Sequence, residues 1–160
     1  MSSRGIDVRN FLTTSAAIEK TIAAIYRRFV ETIPCDGELK AIWMRMAKDE
    51  DQHAMEINFA ARLPHEGISK VKEMPQARLE QLFDFTKRIL DQARTSTIPV
   101  KTAVDLTLKL EEEFLAVHIA SSVAFETETM RKMFQSIAQS EEEHCRAIRE
   151  YSHGLSQNAL

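Results

Sequence analysis

The sequence predicts an all-α protein, whose helix lengths fit a four-helix bundle with one long crossover that carries an additional short helix, and equally a cytokine-like or simple up-down bundle. Three observations lead there. Gly and Pro number only four each in 160 residues, so breakers are rare and the segments between them are long. Apolar residues recur through those segments at three- and four-residue spacing. No strand-like alternation of any length occurs.

The first helix can be capped by Asp7 and runs to about Ile33, where Pro34, Asp36 and Gly37 make a turn. A second helix runs from about Gly37 to Leu63, stopped by Pro64 and Gly67. Pro75 suits the first position of a third, shorter helix, with Leu79, Leu82, Phe83, Thr86 and Leu90 on one face. Pro99 opens a fourth helix through roughly Phe125. Thr127 can cap a fifth, and Gly154 is a suitable C-terminal stop.

Composition excludes several function classes. A net charge of -3 with no Lys/Arg cluster gives no electrostatic footprint for nucleic acid. The two cysteines, Cys35 and Cys145, form no Cys-x-x-Cys pair, which argues against a disulfide framework, a zinc ribbon or a rubredoxin-type iron site. The first residues lack the apolar core of a signal peptide, and no run approaches a membrane span. A cytoplasmic protein is expected.

The chemistry lies in an internal repeat. "MAKDEDQHAMEI" at 46–57 and "IAQSEEEHCRAI" at 137–148 share the frame Ala-x-x-Glu-x-x-His-x-x-x-Ile. The matched residues are Ala47, Glu50, His53 and Ile57 against Ala138, Glu141, His144 and Ile148. One Glu-x-x-His is a weak signal; two in a shared frame are not easily dismissed. The repeat extends upstream, because Glu19 precedes Glu50 by 31 residues and Glu111 precedes Glu141 by 30. Seven residues after Glu19 comes Tyr26, and seven after Glu111 comes His118. Each half therefore offers one Glu on its first helix and Glu-x-x-His on its second.

Residues i and i+3 share a helix face, so each Glu/His pair can aim two donors at one spot. Glu19 lies on a stripe with Leu12, Ala16, Ala23, Tyr26 and Val30 and is expected to face the core. Four carboxylates buried together would repel one another and lose hydration. Two divalent cations remove the problem, matching four negative charges with four positive while neutral histidines fill further positions. An oxygen-rich, thiolate-free site favours iron or manganese over structural zinc.

At these residues the chain resembles the rubrerythrin and ferritin-like superfamily of di-iron carboxylate proteins. Ser15 to Ile57 and Leu108 to Ile148 carry the resemblance. It implies a single ferritin-like domain over residues 1–160 and two iron ions, with manganese as the other candidate. It further implies that Glu50 and Glu141 bridge the metals, that Glu19 and Glu111 are terminal ligands, and that His53 and His144 bind one metal each. Tyr26 stands where the family commonly has a tyrosine close to the di-iron centre, the one candidate for a catalytic role. The implied chemistry is redox with oxygen or hydrogen peroxide, as iron oxidation or peroxide reduction, fed by a separate electron donor protein. Two departures bear on this. Rubrerythrins typically carry a second glutamate three residues on from the first in the third bundle helix, where this chain has Phe114. They also carry a rubredoxin domain with Cys-x-x-Cys pairs, which this sequence lacks.

Other residues have plainer expectations. Among the consecutive Glu111, Glu112 and Glu113, the repeat selects Glu111, on the stripe Val104, Leu108 and Leu115; Glu113 lies on Leu106, Leu110 and Val117. Glu142 and Glu143 are expected at the surface. His118 is expected to be a packed histidine near the site. His65 and His153 draw no role, and Trp43, Met44 and Met46 are core or interface packing. Cys145 is expected to be an inert buried thiol. The paired helices suggest a homodimer, with helices exchanged through the 63–98 connection. The competing reading is a metal-free helical module whose crossover helix docks a partner through Phe83 and Phe85.

Overall fold

The computed structural model describes residues 8–63 and 76–158, and among them there is no strand. Five helices follow in order: α1 (Val8–Thr32), α2 (Gly37–Arg62), α3 (Gln76–Thr95), α4 (Val100–Ala124) and α5 (Glu128–Asn158). Short connections at 33–36 and 125–127 turn the chain back, so α1 packs along α2 and α4 along α5. The two pairs meet through α2 and α5, while α3 lies mainly against α1 and touches α4.

The punctuation works largely as the sequence indicates. Asp36 caps α2, its Oδ1 accepting the Leu39 N–H at 2.9 Å, and its Oδ2 accepts the Tyr151 hydroxyl of α5 at 2.8 Å. These donors hold the Asp36 carboxyl below its ordinary range, the Leu39 N–H contributing most. At the start of α4 the Pro99 carbonyl accepts from Ala103, so the missing proline N–H costs nothing there. Asp7, Pro64, Gly67 and Pro75, and the loop carrying His65, lie outside the described residues.

Two expectations need correction. Gly154 does not end α5, which runs on to Asn158. Its backbone stays right-handed, and a glycine stops a helix only when it turns left-handed. The Thr127 hydroxyl finds no hydrogen-bond partner, so α5 starts from the Thr127 carbonyl, which accepts from Arg131, rather than from a side-chain cap. At 20 residues, α3 is the shortest of the five helices.

That third helix buries Leu79, Leu82, Thr86, Ile89 and Ala93, while Phe83, Phe85 and Leu90 are partly buried against the same core. Lys87 lies 4.3 Å from the Phe83 ring centroid and Lys109 lies 5.2 Å from that of Phe85. Both phenylalanines thus pack partly within the chain. Trp43 is fully buried, its ring 5.2 Å from that of Phe29, and its indole N–H donates to Thr107 of α4 at 3.0 Å. Met46 is buried as well, whereas Met44 is half exposed.

Candidate metal centre

Each bundle helix turns one polar line into this core. On α1 the buried line runs Leu12, Ser15, Glu19, Tyr26; on α2 it runs Met46, Glu50, His53, Ile57. On α4 it runs Val104, Thr107, Glu111, Phe114, His118, and on α5 it runs Ala138, Glu141, His144, Ile148. Helical spacing stacks these residues on one face, and the packing of the pairs brings four such faces together. Glu19, Glu50, Glu111, Glu141, His118 and His144 are each at most 2% exposed and His53 is 6%.

The donors meet in three groups, each with its atoms within 4.8 Å of one another: Glu19, Glu50 and His53; Glu50, Glu111 and His144; Glu19, His118 and Glu141. His53 Nδ1 lies 3.5 Å from Glu50 Oε2 and 3.8 Å from Glu19 Oε2. His144 Nδ1 lies 3.2 Å from both Glu50 Oε1 and Glu111 Oε2. His118 places Nδ1 2.7 Å from Glu141 Oε1 and Nε2 3.2 Å from Glu19 Oε1. Donor atoms held at roughly 2.1 Å by one divalent ion lie up to about 4 Å apart. Each group is therefore near the spacing an ion requires.

The electrostatics show what such an ion would relieve. Burial, with Glu50 close by, pushes the Glu19 carboxyl well above its ordinary range. Glu141 is raised in the same way by burial and by the charges of Glu50 and Glu111, and Glu111 by burial and Glu50. Glu50 is the exception: burial pushes it up, but the close approach of Glu19, His144 and His53 holds it below the usual carboxylate range. Burial opposes charge on His53 and His144 too, yet the surrounding carboxylates push them up to about 11 and about 12. His118 goes the other way, its imidazole depressed because burial outweighs Glu19 and Glu50.

The donor set also passes a test of fit. Both oxygens of Glu19, both of Glu50, Oε2 of Glu141 and Nδ1 of His53 are buried without a well-aligned hydrogen-bond partner. Buried polar atoms are nearly always paired, and an orphaned charged one costs several kcal/mol. Six such atoms converging on one spot suit cation ligands.

Around the cluster the protein fixes ligand orientation. The Tyr26 hydroxyl donates to Glu111 Oε1 at 2.6 Å, and burial together with Glu111 keeps the phenol well above its ordinary pKa. His144 presents Nδ1 to the carboxylates while Nε2 meets Asp49 Oδ2 at 2.9 Å, an outer partner that sets the ring's orientation. Glu112 and Glu113 turn outward to pair with Arg149 and Arg78, and Glu142 and Glu143 are exposed.

The rubrerythrin family model matches residues 10–152, nearly the whole chain. The chain belongs to the rubrerythrin family. Neither a curated protein nor a solved structure matches it. Within the chain the four carboxylates and two histidines expected from the repeat all reach one cluster, with Tyr26 against it. The position where family members typically have a second glutamate is filled by Phe114, a core residue whose ring lies 6.2 Å from that of His118. The stripe given to Glu111 needs revision, because Leu108 and Leu115 flank the core half-buried while Val104, Thr107 and Phe114 share its buried line. Two residues of the site were underweighted by sequence. His118 belongs to the donor cluster, and its place opposite Tyr26 in the repeat was the available signal. Asp49 gave none, since the repeat has Ser140 there. Cys145 is buried, and its thiol is pushed up to about 11 by burial and Glu111, in keeping with an inert role. No described helix is long and apolar enough to cross a membrane.

Proposed function

We propose that this rubrerythrin-family protein binds two iron ions, or manganese in their place, in the buried cluster and reduces oxygen or hydrogen peroxide with them. The observation that carries the reading is the convergence of orphaned carboxylate and imidazole atoms from two repeated helix pairs. Four carboxylates balance two divalent ions, so the cluster's charge closes at that number. In this reading Glu19 and His53 hold one ion, and Glu111 and His144 hold the other. Glu50 lies in the donor groups of both His53 and His144, which supports a bridging role. Glu141 lies in a donor group with Glu19 and His118, and its unpartnered Oε2 supports a ligand role for that residue.

When bound, such a pair supplies two electrons, enough with two protons to reduce hydrogen peroxide to two waters. The chain contributes the rest. Burial of all six ligands excludes bulk water and keeps charge interactions strong. Tyr26 holds Glu111 by a proton that it does not release near neutral pH. Electrons return from a separate donor protein.

Elemental analysis tests the reading. The purified protein is expected to hold about two ions per chain, lost in the Glu50→Ala/Glu141→Ala variant. A chain without metal that also takes up no ferrous iron under anaerobic conditions sinks it. Stopped-flow mixing of the ferrous protein with oxygen and, separately, with peroxide then identifies the oxidant by the faster reaction.

A further inference from the structure

The two-ion assignment uses six of the seven buried donors and leaves His118 without a part. Building on that assignment, we propose that His118 is a seventh ligand, sharing with His53 the ion held by Glu19.

The argument begins with the ring's two nitrogens. Both face carboxylates, Nδ1 toward Glu141 at 2.7 Å and Nε2 toward Glu19 at 3.2 Å. A neutral imidazole carries one N–H, so it can donate to only one of them. The Nδ1 contact is a well-formed hydrogen bond, whereas Glu19 Oε1 is left without an aligned partner. With the hydrogen on Nδ1, the Nε2 lone pair faces Glu19 Oε1, and once Glu19 sheds its proton two acceptors stand there with nothing between them. A cation resolves that clash. Ligands at right angles on an ion at roughly 2.1 Å stand about 3 Å apart, which is the separation these two atoms have.

Packing holds the ring in this pose. Phe134 stacks beside it at 5.7 Å between centroids with a 26° interplanar angle, and Phe114 lies 6.2 Å away. The imidazole thus has a stacked phenylalanine at one face and the cluster's carboxylates at its nitrogens.

Charge decides between sharing an ion and holding a third. The buried carboxylates already balance two divalent cations, and a third would bring two positive charges without a further buried carboxylate. His118 adds a donor and no charge, so it joins an ion already present. Its equivalent in the other half is Tyr26, which gives Glu111 a hydrogen bond instead. The centre is therefore asymmetric, with two imidazoles at the Glu19 ion and one at the Glu111 ion.

The test uses the full chain loaded anaerobically with ferrous iron, read by elemental analysis and by X-ray absorption, whose outer-shell scattering counts imidazoles per ion. The expected wild-type result is two ions sharing three imidazoles. His118→Gln keeps a hydrogen-bonding side chain but removes the imidazole. It should lower the count by a third and weaken one ion by at least about tenfold, while the other is unchanged. Two ions with two imidazoles in the wild type would make His118 a hydrogen-bonding partner of Glu141 only. Three ions per chain would overturn the shared-ion assignment, and no bound iron would overturn the two-ion reading along with this one. The wild-type count settles the matter even if the variant fails to fold, which its helical circular dichroism reports.

Discussion

Tyr26 and His118 occupy equivalent places in the two halves of the bundle and reach across it in opposite directions. Tyr26 on α1 donates to Glu111 on α4 at 2.6 Å, and His118 on α4 meets Glu19 on α1 at 3.2 Å. The residue seven places after each half's glutamate thus serves the glutamate of the other half. The two halves share a plan and differ in chemistry, because a phenol kept protonated by burial gives only a hydrogen bond, whereas an imidazole also has a free donor pair.

Replacing Tyr26 by Phe removes that hydrogen bond and leaves Glu111 Oε1 buried without its donor. The metal-free protein should lose about 1–3 kcal/mol in urea unfolding, the cost of orphaning a buried acceptor. The metal-loaded protein should lose less, since the ion still engages the carboxylate. Equal losses in both forms would contradict a link between Tyr26 and the cluster.

The three consecutive glutamates on α4 can be separated by mutation. Glu111→Gln removes a buried member of the cluster and should cost one of the two ions. Glu112→Gln and Glu113→Gln break only outward pairs with Arg149 and Arg78, so each should leave metal content intact and shift stability by no more than about 1 kcal/mol. Elemental analysis of the three variants, beside their thermal midpoints, checks the ordering.

The same residues show what the sequence could reveal. Glu50/His53 and Glu141/His144 were legible because three-residue spacing is local and sets the shared face by itself. Glu111 was found by the repeat and not by its own helix, for α4 is apolar on several sides and Leu108 looked as suitable a neighbour as Thr107. His118 was placed near the site by its repeat position, but its contacts with Glu19 and Glu141 depend on how the two pairs pack. Asp49 meets a histidine 95 residues away and has only Ser140 as its repeat counterpart, so no local pattern pointed to it. The course of α5 past Gly154 was hidden for a related reason: glycine permits a stop without imposing one.

Asp49→Asn tests the outer support of the centre. An amide in place of the carboxylate weakens the hold on His144 Nε2, while His53 has no acidic residue at the equivalent position. Loss of such an outer partner typically costs roughly 10–100-fold in metal affinity. A binding isotherm with ferrous iron should therefore separate into two steps, only one of them weakened. Uniform weakening of both ions, or none, would argue against the role given to Asp49.

Metal loading should release protons, and affinity should rise with pH. In the metal-free protein the carboxylates hold His53 up at about 11 and His144 at about 12, so both rings are charged near neutrality. Their contribution to stability is fully present below the ordinary histidine value of 6.5 and is lost as pH climbs through those raised values. Glu19 and Glu141 are raised also, burial being the first cause, so they favour the fold below 4.5 and disfavour it as pH rises through their elevated values. Both effects leave protons on groups that must shed them to bind an ion. Calorimetric titration with divalent metal, run at one pH in two buffers of different ionisation heat, should show net proton uptake by the buffer. Heats independent of the buffer would contradict it. The thermal stabilisation conferred by metal should likewise shrink as pH is lowered from about 8 to about 5, because protons then compete for the same lone pairs.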